Sequence, residues 1–329
     1  MEEIKGLSRN VKYNHNLQNK LRFKKLAGNI SAYYYLDLRS NSIDKDISII
    51  ADLFSENYPF VVFGGCTNLY ITERGYNGLF IEIQHHHNGI KYNDKTGIYS
   101  VKADCDLDGF VKEAVKRGSD FTNFYAIPGL VGSAVCGNSG SEGIDICNHV
   151  KSITVYDFEA REYKTIDISG DGFFSKRNSF ISNHNKEKTY YIITECELYA
   201  ENIGKSECES KIRKKKEYRK SSDENAVGTA GSFWRGAALP ETESTKGKKI
   251  RDLLKELSLN TYDINGARYV TDKCFLKTEN CTTDKDVARL LKYSMDEINR
   301  KFGFFPENEV VILDHDGRID VKEFINRYY

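Results

Sequence analysis

No apolar run in the chain approaches the ~20 residues that a membrane span needs, and no signal peptide opens it. A surplus of either charge is also missing. Lys+Arg and Asp+Glu each count 48, giving a net charge of zero. That balance excludes a sequence-blind nucleic-acid binder, whose affinity would come from excess positive charge. The eight cysteines, at 66, 105, 136, 147, 196, 208, 274 and 281, include no CxxC pair. In a chain this long the pattern reads as buried thiols in a reducing cytoplasm, with neither disulfides nor a zinc site. There is no internal repeat. Neither GxGxxG nor GxxxxGK(S/T) occurs, so a Rossmann fingerprint and a P-loop are both absent.

What is present is enough for real cores. The chain has 329 residues, of which 40% are hydrophobic and 29% charged, and its length predicts two or three domains. Residues 1–20 are polar and predict a loose edge. SAYYYLDL predicts a strand, and Asp44–Glu56 a helix with Ile47, Ile50, Ala51 and Phe54 on one face. A strand over Leu79–Ile83 and the His85-His86-His87 run follow, the histidines reading as a hairpin turn and not as a metal site. Ile98–Ala103 predicts a strand, and Leu107–Arg117 a helix stopped by Gly118. Ser152–Asp157, Tyr163–Ile168 and Tyr190–Ala200 alternate as an antiparallel sheet does. Composition shifts at Gly204, and the basic run KIRKKKEYRK reads as a solvated helix face joining two halves of the molecule. Beyond it lie helices over Lys248–Leu259 and Asp284–Phe302, with Thr283 and Asp286 spaced as a capping box. A strand over Glu309–Leu313 and a charged tail close the chain.

Two glycine-bearing stretches stand out. Tyr58–Ile71 reads as a buried strand that breaks at Gly64-Gly65 and leaves as another strand. Tyr125–Gly143, YAIPGLVGSAVCGNSGSEG, holds five glycines and hardly any charge. Such a run is a poor helix or strand, but its backbone N–H groups can approach an anion closely. Taken singly, each is a sharp loop; two in one chain point to a diphosphate held by backbone amides.

Five motifs then fall in order: GGCTNLYI with GYNGLFIEI, IPGLVGSAVCGNSGSEG, KRNSF, GTAGSFW and FGFFPENEVVIL. Over about residues 20–313 they resemble the UDP-N-acetylenolpyruvoylglucosamine reductase family, in the subtype without a tyrosine-bearing substrate loop. The resemblance implies an α+β fold: a two-lobed FAD-binding domain of the PCMH flavoprotein type over 21–203, with lobes of about 21–90 and 91–203. A substrate domain over 204–315 and a tail over 316–329 would follow. It implies FAD and NADPH as cofactors, a nucleotide-sugar substrate, a cytoplasmic monomer or weak dimer, and work on peptidoglycan precursors. By motif, Ser232 would be the proton donor, with Arg177 and Glu309 against the substrate carboxylate and the developing enolate. FAD would lie against Gly64, Gly65, Cys66, Thr67, Asn68 and Leu69, and against Pro128, Gly129, Gly132, Ser133, Asn138, Gly140 and Gly143. Lys220 and Arg235 would contact substrate.

The residue types suit that chemistry. An arginine fork matches a carboxylate on which charge grows. A hydroxyl is a poor acid, but an enolate carbon is a strong enough base to take its proton. The sequence departs from the family at Cys66-Thr67, Lys176, Glu142 and Arg235-Gly236-Ala237. Those departures leave open a reductase of another enolpyruvyl nucleotide sugar, or a flavin-binding protein without activity.

Overall fold

A computed structural model describes residues 11–17, 31–38, 43–55, 59–83, 89–141, 143–168, 172–186, 188–222, 229–236, 239–270, 274–279 and 281–329. The described residues divide into two compact units. One falls within 1–13, 34–65 and 78–221, the other within 14–33, 66–77 and 222–329.

The first unit is built on a five-stranded antiparallel sheet. Its order is Glu162–Asp167, Val150–Asp157, Tyr191–Tyr199, Ile98–Lys102 and Ile90–Asn93. Alternation explains the layering: Ile153, Val155, Cys196, Leu198, Tyr99 and Val101 turn inward, and the edge strand Glu162–Asp167 is polar and exposed along most of its length. Against this core packs the helix Leu107–Lys116. Asp106 caps it by accepting from the Gly109 N–H at 2.7 Å, and Gly118 beyond its end takes φ 82, which a glycine adopts at little cost. The helix Ile43–Ser55 buries Ile43, Ile47, Ile50 and Leu53 on one face. Strand Phe60–Phe63 runs parallel to Leu79–Glu82.

The helix Lys205–Ser222 belongs to this first unit, so the expected division at Gly204 falls instead at 222. Cys208 and Ile212 bury themselves in the first core. Lys211 donates to Asp120 at 2.6 Å and Lys215 to the Asn123 carbonyl at 2.9 Å. The basic run is a solvated face, but only on its outer side.

The second unit has its own core. A four-stranded sheet runs Thr229–Ser232, Phe275–Lys277, Ala267–Tyr269, Asp263–Ile264. The amphipathic helix Asp284–Phe302 lays Val287, Leu290, Leu291, Met295 and Ile298 into that core, and begins at the Thr283–Asp286 capping box expected from the spacing. Trp234 is fully buried and donates through Nε1 to the Tyr269 hydroxyl at 2.8 Å, which donates to Ser294. A three-stranded sheet joins Gly317–Ile319, Val311–Asp314 and Leu69–Ile71, the last pair parallel.

Three further expectations are corrected. The segment expected to be loose at the start contains the strand Val11–Asn16. The glycine stretch, expected to be neither helix nor strand, contains the helix Val131–Cys136, because the Val131 and Gly132 amides donate to the Cys105 and Ala103 carbonyls. The tail is a packed element: Val321, Phe324 and Ile325 of the helix Val321–Tyr328 are buried in the second core. His85-His86-His87, Glu142 and Ala237 lie outside the described residues.

Candidate functional site

The expected site residues divide between the units. Gly64, Gly65, Pro128, Gly129, Gly132, Ser133, Asn138, Gly140, Gly143 and Arg177 belong to the first. Cys66, Thr67, Asn68, Leu69, Ser232, Arg235 and Glu309 belong to the second. Lys220 lies on the last turns of the helix Lys205–Ser222, and its side chain is outside the described set.

In the first unit the two glycine stretches meet. A Cβ placed on Gly64 would lie 2.6 Å from the Ser133 hydroxyl and 2.9 Å from Leu130. A side chain at 64 would therefore have to displace those of Ser133 and Leu130, which pack directly on the glycine. A Cβ on Gly132 would lie 2.6 Å from that of Ala103, while the Gly132 N–H already donates to the Ala103 carbonyl at 2.8 Å. Gly132 therefore serves packing, and its amide is engaged within the protein. Gly129 and Gly143 take φ 119 and 90. Asn138 is buried at φ 45 and holds its turn from both ends, donating to the Ser175 carbonyl and accepting from the Cys147 N–H. Two adjacent turns, with glycine at 64 and positive-φ glycines at 129 and 143, fit the binding of a dinucleotide's phosphates by main-chain groups.

Arg177 sits in the tight turn between the paired strands Phe174–Ser175 and Asn178–Ser179, at φ 58. Its guanidinium folds onto the glycine stretch. Nη1 donates to Asp145 Oδ1 at 3.0 Å, and Nη2 to the Gly140 carbonyl at 2.6 Å.

In the second unit Ser232 and Glu309 come together. Phe233, next to Ser232, accepts from the Glu309 N–H at 2.7 Å. The Asn68 side chain donates to the Glu309 carbonyl at 3.1 Å, so the loop after Cys66 braces the same point. Ser232 stands opposite Phe275 in the sheet. The neighbouring Cys274, which sequence reasoning passed over, is buried beside the Ser232 hydroxyl, and its thiol donates to the Trp234 carbonyl at 4.0 Å. Burial pushes that thiol up to about 11; the Ser232 contact opposes the rise and the Glu309 charge adds to it. A thiol so raised stays protonated at neutral pH. Its sequence gave no signal, since a cysteine 42 positions from the serine meets it only through sheet pairing. Arg235 pairs with Glu307 at 3.1 Å, while its Nε is buried with no acceptor among the described residues.

A family model described as an FAD binding domain matches residues 39–163. The chain is 26% identical over 263 residues to a UDP-N-acetylenolpyruvoylglucosamine reductase of Clostridioides difficile, covering 79% of this chain and 81% of that one. It is 25% identical to the enzyme of that name from Caldanaerobacter subterraneus subsp. tengcongensis, over 82% of this chain and 85% of the other. The crystal structure of UDP-N-acetylenolpyruvylglucosamine reductase (MurB) from Thermus caldophilus superposes with a TM-score of 0.66. That superposition covers 91% of this chain and 97% of that chain at 17% identity, a likeness of fold.

Proposed function

We infer that this chain, a diverged member of the UDP-N-acetylenolpyruvoylglucosamine reductase family, reduces the enolpyruvyl ether of UDP-N-acetylglucosamine to the lactyl ether in peptidoglycan precursor synthesis. Bound FAD, reduced by NADPH, would supply hydride chemistry for C3 of the enolpyruvyl group. The protein's part is to hold the cofactor and to finish the reaction at C2. The Gly64-Gly65 turn and the 128–143 stretch would carry the cofactor's phosphates. Addition at C3 leaves negative charge on C2 and the carboxylate. Arg177 is assigned to that carboxylate, where a guanidinium stabilises charge as it grows. Ser232 is assigned to give its hydroxyl proton to C2, and Glu309 to hold the substrate end of the site.

The observation that carries this reading is that Glu309, 77 residues beyond Ser232 in the chain, is tied through its N–H to the carbonyl of Phe233, the residue next to Ser232. The test is a purified protein with a flavin absorption band that NADPH bleaches and the enolpyruvyl sugar restores. Ser232→Ala should leave the bleaching step intact and lower turnover by roughly 100-fold or more. Unchanged turnover would remove Ser232 from the proton-transfer role.

A second reading is supported by Arg235. It stands with Gly236 and residue 237 where the resemblance calls for Lys-Asn-Pro, and its buried Nε lacks an acceptor among the described residues. A different acyl or sugar group on the substrate would supply one. Bleached flavin that UDP-N-acetylglucosamine enolpyruvate cannot restore, but another enolpyruvyl nucleotide sugar can, would favour it.

A further inference from the structure

Arg177 occupies a strained place. At φ 58 it lies in the left-handed region, which a non-glycine residue adopts only at a cost, and it forms part of a two-residue turn between Ser175 and Asn178. The turn is fastened to the glycine stretch in several ways. Asn138 donates to the Ser175 carbonyl at 2.9 Å, and the Ser179 hydroxyl donates to the Cys136 carbonyl at 2.6 Å. The guanidinium itself reaches the Asn138 and Gly140 carbonyls, at 3.4 and 2.6 Å. One contact of this set is ionic: Asp145, paired across the short hairpin from Gly140, accepts from Nη1 at 3.0 Å. Both side chains are largely buried, with 21% and 16% exposure, so the pair is less screened than a surface ion pair. A carboxylate acceptor binds about twice as strongly as a neutral one. Space for the contact exists only because residue 140 has no side chain: a Cβ there would lie 2.2 Å from Asp145 Oδ1 and 2.6 Å from Arg177 Nη1.

We propose that Asp145 is a positioning residue, which sets the direction of the Arg177 guanidinium and acts on the reaction only through it. The consequence for substrate rests on the assignment of Arg177 to the substrate carboxylate made above. Because Asn138 and Gly140 belong to the stretch assigned to the cofactor's phosphates, ordering that stretch and orienting the arginine become one event.

Asp145→Asn keeps the shape and removes the charge. Two measurements decide the matter. In nitrogen-edited NMR, with Arg177→Ala identifying the signal, the Arg177 Nη resonances should be resolved in the unmutated protein, since the Asp145 and Gly140 contacts hinder rotation about the Nε–Cζ bond. They should broaden and merge in Asp145→Asn. In kinetics, kcat/KM for the enolpyruvyl sugar should fall by roughly 10- to 100-fold, with flavin reduction by NADPH changed less than about twofold. On an Arg177→Ala background the same substitution should change nothing further.

Unaltered Nη resonances and turnover in Asp145→Asn would overturn the proposal. So would loss of bound FAD in Asp145→Asn that Arg177→Ala does not share, because Asp145 would then serve the loop alone. Should Asp145→Asn not fold, Asp145→Glu keeps the charge at a longer reach; it should shift the Nη signals without merging them, and signals identical to the unmutated protein's would count against the assignment. A protein that turns over no enolpyruvyl sugar would defeat the functional reading, while the Nη signals would still decide the placement of Arg177.

Discussion

A buried donor without an acceptor costs a folded protein about 1–3 kcal/mol, and among the described residues the Nε of Arg235 is such a donor. A group held at that cost fits a residue whose partner arrives with the substrate. Replacing Arg235 by Met keeps the apolar stem and removes the donors. Thermal unfolding should then show no loss of stability, since the pair with the exposed Glu307 contributes little. KM for the enolpyruvyl sugar should rise about tenfold with kcat nearly unchanged, the pattern of lost uniform binding. An unchanged KM would assign Arg235 to packing. Cys66 poses a different question, because it takes φ 50 where the family pattern has glycine. Comparing Cys66→Gly with Cys66→Ala removes the thiol from both and isolates the backbone. The glycine variant should be the more stable by about 1 kcal/mol in urea unfolding, the reverse of the usual order of the two residues.

At the scale of elements, the short helix Val131–Cys136 shows where reading the sequence stops. Glycine content argues against any helix there, and local propensity alone would not form one. What overrides it lies about 26–29 residues upstream, in the carbonyls of Ala103 and Cys105 that receive its first amides. Gly118 and the Thr283–Asp286 box, by contrast, act within a few residues of themselves and were legible from spacing alone. Gly132→Ala should push the new methyl onto Ala103 and cost about 1–3 kcal/mol in an unfolding titration; a neutral result would mean that the helix can shift. The tail was misread for a related reason: its apolar residues are few, and what fixes it is a buried charge. Asp314 is fully buried and accepts from Thr72 Oγ1 and the Tyr328 hydroxyl, each at 2.5 Å, and from Arg327. Burial alone would raise its carboxyl; the hydrogen bonds from Thr72, Tyr328 and Arg327 outweigh it and hold the group below its ordinary value. A carboxylate depressed in this way contributes stability above its unfolded pKa of about 3.9. That stability is lost as pH falls through the lower folded value. Asp314→Ala should thus cost about 3–5 kcal/mol near neutral pH, with the difference from the unmutated protein shrinking below about pH 4.

At the scale of the molecule, the chain does not divide as its order implies. The domains expected end to end are instead interleaved, since Cys66–Asn77 joins the unit formed mainly by residues 222–329. The physical cause is the strand Leu69–Ile71, which pairs in parallel with Val311–Leu313 some 242 residues later. Pairing over that separation leaves no periodic trace in either segment, so the strand was legible and its partner was not. The segment brings more than a strand. Tyr70 is fully buried, donates to Asp284 at 2.6 Å and packs edge-on against Phe324; Thr72 reaches Asp314, and the Glu73 carboxylate accepts from the Asp284 N–H at 2.8 Å. Removing it would leave the buried Asp284 and Asp314 short of donors, and an uncompensated buried charge costs several kcal/mol, a large part of a domain's total stability. A fragment of residues 222–329 should therefore fail to melt cooperatively by circular dichroism. The same fragment with residues 66–77 joined to it through a flexible Gly/Ser linker should recover a sigmoidal transition, and Tyr70→Ala in that fusion should abolish most of the gain. Cooperative melting of the bare fragment would show that the second core is self-sufficient and that the early strand is an accessory to it.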